Sequence, residues 1–289
     1  MKNFEQDNTR WLIEITPNTN FFSFNLKELW QYKDLLQLFV KRDFTTLYKQ
    51  TILGPLWYII QPLFTSIAFT IIFNNLAGIK TGSVPPFLFN LAGITVWNYF
   101  TACLLGTSNI FATNAAIFGK VYFPRLIIPI SIVISNLIKF GIQFSIFIVF
   151  YLIYYLKGAT ITLNPLLLFF PLLIVLMGIL GFGLGLLISS FVTKYRDFNY
   201  LLTFGVQLLM YISAVMYPLA LIQEKIPNYA WIVKYNPLAY IIESSRLMLL
   251  NAGQISYLGL TYTVMITTFL LLLGVLVFSK TEKNFIDTV

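Results

Sequence analysis

Long apolar stretches alternate with short charged ones along this chain, and each stretch is long enough to cross a bilayer. Thirty uncharged residues separate Lys49 from Lys80, and thirty-nine separate Lys80 from Lys120. Between 126 and 156 only Lys139 interrupts the apolar run, and 158–193, 198–223 and 247–279 carry no charge at all. A crossing helix needs about 20 apolar residues. The pattern predicts an all-α integral membrane fold with six spans, near 55–78, 88–112, 126–156, 165–192, 198–218 and 256–279. Residues 1–50 form an N-terminal segment and 51–289 the transmembrane domain.

Two segments read differently. From Asn25 to about Tyr48 the period is helical, with Leu29, Tyr32, Leu36, Phe39 and Val40 on one side and Lys27, Lys33, Asp34, Lys41 and Arg42 largely elsewhere. Asn25 as N-cap and Glu28 three residues on would make a capping box. Such an amphipathic helix lies in the membrane interface, packs on the protein's own face, or does both. The stretch 218–251 is broken by Pro218, Pro227 and Pro237. Asn236-Pro237 is an N-cap followed by Pro at the first helical position, opening a helix of about fourteen residues that ends before Gly253. Fourteen residues rise about 21 Å, short of a hydrocarbon core of about 30 Å, so this predicts short helices on the outer side before the last span. Glu243 and Arg246, three apart, share a face and can pair.

Charge sets the orientation. An even number of spans puts both termini on one side. That side then holds thirteen basic residues (Lys2, Arg10, Lys27, Lys33, Lys41, Arg42, Lys49, Lys120, Arg125, Lys194, Arg196, Lys280 and Lys283). The other holds five (Lys80, Lys157, Lys225, Lys234 and Arg246). Basic loops stay in the cytoplasm, so both termini are expected there. The first forty-odd residues lack the basic-then-apolar pattern of a secretory leader and are expected in the mature chain. Lys139, within the third span, is a functional suspect, although a long side chain on a tilted helix can also snorkel outward.

Composition narrows the chemistry. Only 10% of residues are charged and 58% are hydrophobic, against about 25% charged in soluble domains. With no His and one Cys, Cys103, His-dependent triads, the usual zinc ligand sets and an intrachain disulfide are excluded. No G-x-x-x-x-G-K-[ST] loop is present, Gly119-Lys120 standing alone. From Phe44 to Arg196 there is no Asp or Glu, which counts against carboxylate-relay ion coupling. The extramembrane candidates (Asp43, Asp197, Glu224 and Glu243) fall on different sides of the bilayer, which disfavours a catalytic pair. No catalytic or metal site is expected. The excess of basic residues is assigned to membrane topology, not to nucleic acid.

Three blocks carry a resemblance. Arg42-Asp43, Tyr48-Lys49-Gln50-Thr51, Leu53-Gly54-Pro55-Leu56-Trp57 and Gln61-Pro62 lead into the first span. Asn114 through Phe118, Lys120, Tyr122-Phe123-Pro124-Arg125 and Pro129 form the turn between the second and third. Tyr235-Asn236-Pro237-Leu238, with Glu243 and Arg246, precedes the last. Together they resemble the membrane subunit of type-2 ABC exporters for polysaccharides, the O-antigen, capsule and teichoic-acid permeases. The resemblance covers nearly the whole chain, and Trp11-Leu12-Ile13-Glu14-Ile15-Thr16-Pro17 is similar to the O-antigen branch. It implies a homodimer with two separate ATP-binding subunits, which bind the ATP and Mg, exporting an undecaprenyl-linked glycan across the inner membrane. It also places ATPase coupling on Phe118, Lys120, Tyr122, Phe123, Pro124 and Arg125, a turn expected to expose its aromatics. Arg42, Asp43, Tyr48, Lys49, Gly54 and Trp57 would form the interface helix and its lead into the membrane, and Asn236, Pro237, Glu243 and Arg246 an outer gate.

A conduit for sugar needs rings for its faces and amides or hydroxyls for its edges. Gln61, Trp97, Thr101, Gln207, Tyr211 and Tyr217 are the candidates, within stripes at steps of three or four. Packing of small and polar residues, and interfacial anchoring for Trp57, Trp97 and Tyr217, are the plain alternatives. A lipid-linked sugar transferase and a drug or lipid permease of the same type are the competing functions.

Overall fold

The computed structural model describes residues 26–49, 53–118, 123–162, 164–195, 197–225 and 227–286, and among these no strand occurs. Helix α1 (Leu26–Gln31) and α2 (Lys33–Lys49) are nearly continuous. Asn25 and the side chain of Glu28, the expected capping box, fall outside the described residues. A 3-10 turn, Gly54–Leu56, leads into α3 (Trp57–Phe69), which runs on as a π-helix over Thr70–Leu76. Then come α4 (Pro86–Ser108), α5 (Ile110–Phe118), α6 (Ile127–Leu156) and α7 (Phe170–Lys194), the last opened by a 3-10 turn at Pro165–Phe169. Helix α8 (Phe198–Ile212) is followed by the short α9 (Leu219–Lys225) and α10 (Ala230–Lys234), then α11 (Pro237–Leu250) and α12 (Tyr257–Ile286).

Among the described residues, five helical stretches are long and apolar enough to cross a membrane: Gly54–Leu76, Pro86–Ser108, Ile127–Leu156, Pro165–Lys194 and Tyr257–Glu282. They match five of the six expected spans to within a few residues. The sixth differs. The span expected at 198–218 is a helix of 15 residues that stops at Ile212, about 22 Å of rise. Residues 213–217 are irregular, with Ala214 at φ 53°.

Helix α4 is the hub. Its apolar positions are not confined to one face, and Leu88, Phe89, Asn90, Ile94, Phe100 and Cys103 are all buried, as a helix surrounded by other helices requires. Glycines set how closely its neighbours approach. A Cβ on Gly181 would stand 2.9 Å from the Phe100 carbonyl oxygen, and one on Gly185 2.9 Å from that of Leu104. On the other side of α7, a Cβ on Gly183 would meet the Leu271 nitrogen at 2.9 Å. In lipid, where apolar burial gives helices little reason to associate, close backbone approach is what holds α4, α7 and α12 together.

The core falls into three clusters. The largest fills the middle, between α4, α6, α7 and α11. A second, with Phe39, Phe111, Phe118, Phe123 and Phe278 buried, closes the end where α2, the start of α6 and the end of α12 meet. A third, around Ala214, Val233 and Ala239, closes the opposite end. The predicted stripe of α1 and α2 faces the second cluster through Leu29, Tyr32, Leu36 and Phe39, while Trp30 and Leu38 point away. The helix therefore packs on the protein itself, which is compatible with a place in the membrane interface.

Candidate functional site

At the end closed by α2, the α5–α6 connection is stitched to both chain ends. Phe118 stacks on Phe123 with ring centres 6.2 Å apart, Phe123 meets Phe39 of α2 at 5.9 Å, and Phe111 stacks on Phe278 of α12 at 5.0 Å. The Arg125 guanidinium lies 5.4 Å from the centre of the Phe118 ring. Its Nε is 3.4 Å from Glu282 Oε1, and its Nη1 donates to the Glu282 carbonyl at 3.0 Å. The expectation of exposed aromatics here is corrected for Phe118 and Phe123, each 5% exposed. Phenyl rings with no polar atom gain more from stacking in a closed cluster than from facing water. Pro124 and Arg125 are half-buried beside them. Lys120 and Tyr122 lie outside the described residues.

Along α2, Arg42 donates from Nε and Nη2 to Asp43 Oδ1 at 3.0 and 2.8 Å, and Asp43 Oδ2 accepts from Ser135 of α6 at 3.4 Å. Lys49 is exposed, and Gly54 has φ 46° where the chain turns into the first span. The side chain of Tyr48 is outside the described residues. Lys139 does not run outward. Its Nζ turns back one turn toward the start of α6 and donates to Asn136 Oδ1 at 2.9 Å, 5.6 Å from the Tyr58 ring centre. An amide and a ring offer the ammonium partners that lipid tails cannot. Sequence reasoning passed over Ser135 and Asn136, although an amide three residues before an intramembrane cation is a readable signal.

The channel candidates divide. Gln61, Gln207 and Tyr211 lie on exposed faces of α3 and α8, with Trp57 exposed nearby in sequence. Helix α8 rests on the bundle by a narrow strip, Leu202 and Val206, and leaves Tyr200, Leu201, Phe204, Leu208 and Tyr211 uncovered. Tyr217 is half-buried, and its hydroxyl donates to the Tyr211 carbonyl at 2.6 Å, closing the end of α8. Trp97 is 4% exposed in the main core against Phe100, and the Thr101 hydroxyl is turned inside.

The four residues predicted around α11 do come together. Asn236 Oδ1 accepts from the Leu238 amide at 3.0 Å, with Pro237 opening the helix, while its Nδ2 donates to Ser213 at 2.9 Å. Arg246, fully buried, reaches across to the irregular 213–217 turn. Nη1 donates to the carbonyls of Ala214 at 2.8 Å and Tyr217 at 3.3 Å, and Nη2 donates to that of Val215. Its guanidinium lies 3.8 Å from the centre of the Phe89 ring. Gly93 of α4 makes room for it: a Cβ there would collide with Nη2 and stand 2.8 Å from the Val215 carbonyl oxygen. Glu243 Oε2 is 3.6 Å from Arg246 Nη1. Burial pushes the Glu243 carboxyl above the usual carboxylate range, while Arg246 and the backbone N–H groups of Leu219 and Gln254 pull it back. The end of α8 is closed by Ser213 on the Leu209 carbonyl and Tyr217 on that of Tyr211. The irregular turn that follows needs donors for its own carbonyls away from water, and Arg246 supplies them.

Among the described residues, no group of three or more His, Cys, Asp or Glu could hold a metal ion. The ABC-2 type transporter family matches residues 34–250, from the second residue of α2 to the last of α11. The chain is 28% identical over 257 residues to an O-antigen export system permease protein RfbA of Klebsiella pneumoniae, covering 88% of this chain and 94% of that one. A second RfbA from the same organism is 28% identical over 254 residues, with the same coverage, and one from Myxococcus xanthus is 24% identical over 219 residues, 76% of this chain and 81% of that one. With five apolar helices of crossing length and a family match that takes in the α5–α6 turn and the α11 clamp, this multi-pass membrane chain belongs to the ABC-2 type transporter family.

Proposed function

We propose that this chain is the permease subunit of an ATP-driven exporter that carries a lipid-linked polysaccharide, an O-antigen, from the cytoplasm across the inner membrane. The likeness to O-antigen export permeases along 88% of the chain carries this reading. Two copies form the conduit, and two separate ATP-binding subunits, holding the ATP and Mg, drive it; the glycan arrives on an undecaprenyl carrier. Helix α8 makes the sixth crossing together with the Arg246-capped turn, which returns both termini to the cytoplasm, in keeping with the basic residues at that end.

The uncovered faces of α3 and α8 support a second copy as their partner. Phe64, Ile67, Tyr200, Phe204 and Tyr211 are each 45% or more exposed, and six helices alone hardly enclose a pore wide enough for a sugar chain. Facing another copy, Gln61, Gln207 and Tyr211 would present amides and a ring to the cargo. The 118–125 turn, pinned to α2 and α12, would pass movement of the ATPase to both ends of the chain, and the α9–α11 segment would close the outer mouth. A strain lacking this gene, complemented in trans, tests the reading. Wild-type chain should restore surface glycan on a lipopolysaccharide gel and co-purify with an ATPase subunit. Surface glycan unchanged by the deletion, or glycosyl transfer by the purified chain without ATP, would overturn it.

A further inference from the structure

A pocket of about 300 Å³ opens between α2, α4 and α6, lined by Asp43 of α2, Ala102 and Gly106 of α4, and Ser135, Asn136 and Lys139 of α6. Liquid water takes about 30 Å³ per molecule, so the space admits a small polar group with waters around it. Its depth follows from α6. The helix has 30 residues, about 45 Å of rise against a hydrocarbon core of about 30 Å. Lys139 lies about 18 Å from Ile127 along the axis. Centred in the bilayer, α6 therefore puts Lys139 about 10 Å below the hydrocarbon boundary, on the side of α2.

Pairing around the pocket leaves one positive charge over. Arg42 spends two donors on Asp43 Oδ1, and Asp43 Oδ2 meets Ser135, so the one carboxylate there is already matched by its own neighbour. Among the described residues, no carboxylate lies within 4.0 Å of Lys139 Nζ. Of three ammonium donors, one goes to Asn136, while the Tyr58 ring supplies a face and no acceptor. A cation below the headgroups that faces a polar cavity marks a binding place for charge of the opposite sign. The next residues back along α6, Leu137 and Ile138, are 41% and 40% exposed. An anion reaching this depth past such side chains is best brought by an apolar tail.

The geometry points to a site for the phosphate-bearing head group of a membrane lipid, with Lys139 as its charge partner. That the lipid is the polyprenyl carrier of the cargo rests on the function proposed above; the binding itself does not.

Retention of lipid by the purified full chain, read by native mass spectrometry, tests the site. The probes are undecaprenyl phosphate, phosphatidylglycerol and undecaprenol, the last sharing a tail with the first but lacking phosphate. Undecaprenyl phosphate is retained and undecaprenol is not. Lys139→Met lowers retention at least about tenfold, a loss of about 1.4 kcal/mol, and Lys139→Arg keeps most of it. Ala102→Leu, which fills the pocket and leaves the cation in place, lowers retention as well, so the site is readable even where one variant misfolds. Equal retention of undecaprenol, unchanged retention in both Lys139→Met and Ala102→Leu, or displacement by an equal concentration of inorganic pyrophosphate would overturn the proposal. Phosphatidylglycerol held as tightly as undecaprenyl phosphate leaves the site standing and removes its assignment to the carrier, whatever the chain exports.

Discussion

Replacing Arg246 with Met tests whether the guanidinium carries the outer end of the fold. The side chain is fully buried and holds the carbonyls of Ala214, Val215 and Tyr217, the Glu243 carboxylate and the Phe89 ring together. Removing one member of a buried ion pair costs about 3–5 kcal/mol, because the survivor is stranded. Each carbonyl left without a donor adds about 1–3 kcal/mol where water cannot reach it. These contributions overlap, since water will follow the lost side chain, and a net loss of about 4 kcal/mol is the expectation. At roughly 2–4 °C per kcal/mol for a chain of this size, the thermal midpoint falls by about 8–16 °C. Scanning fluorimetry of the detergent-solubilised protein at one fixed scan rate measures it. The double variant Glu243→Gln, Arg246→Met should recover part of the loss, because the stranded carboxylate is gone, and not all of it, because the turn still lacks its donors. A single variant within about 1 kcal/mol of wild type, or a double variant no better than the single, would refute the reasoning.

Other outcomes follow from the same geometry. Arg125→Ala unties the end of α12 from the α5–α6 turn, so amide exchange in its last turns accelerates by about tenfold for each 1.4 kcal/mol lost; unchanged exchange would show the Glu282 contact to be idle. Gly274→Leu drives a side chain into the Gly183 backbone of α7 and costs about 3 kcal/mol or more, read as a lower thermal midpoint. Gly141→Ala on α6, where a Cβ meets nothing within 4 Å, is neutral or stabilising by up to about 1 kcal/mol. Tyr211→Ala, at an exposed position, changes stability by no more than about 0.5 kcal/mol and, on the proposed function, cuts surface glycan severalfold; full export would remove Tyr211 from the conduit.

What could be read from the sequence was local. Asn236-Pro237 announces α11 because the cap, the fixed proline φ and the helix that follows lie within three residues, and the helix has the 14 residues expected. Spans bounded by charges appear where expected because the cost of ionised groups in lipid acts residue by residue. The early end of α8 was not legible. An apolar run continues through Met216, and only Arg246, thirty residues on, makes a broken helix tolerable there. The α5–α6 turn was misjudged for a similar reason. Aromatic residues beside cations read as a surface, and nothing nearby in sequence reveals that Phe39 and Phe278 arrive to bury them. That Arg42 spends its charge on Asp43 and leaves Lys139 over, 96 residues on in the chain, needed the fold.

The clamp on the 213–217 turn has a practical corollary. Arg246 grips main-chain oxygens, which every amino acid carries, and takes no side chain of Ala214, Val215 or Tyr217 as its partner. The grip is therefore indifferent to which side chains stand in the loop. Ser213, Ala214, Val215 and Met216 are nonetheless all fully buried, so what limits replacement there is the volume of the surrounding core.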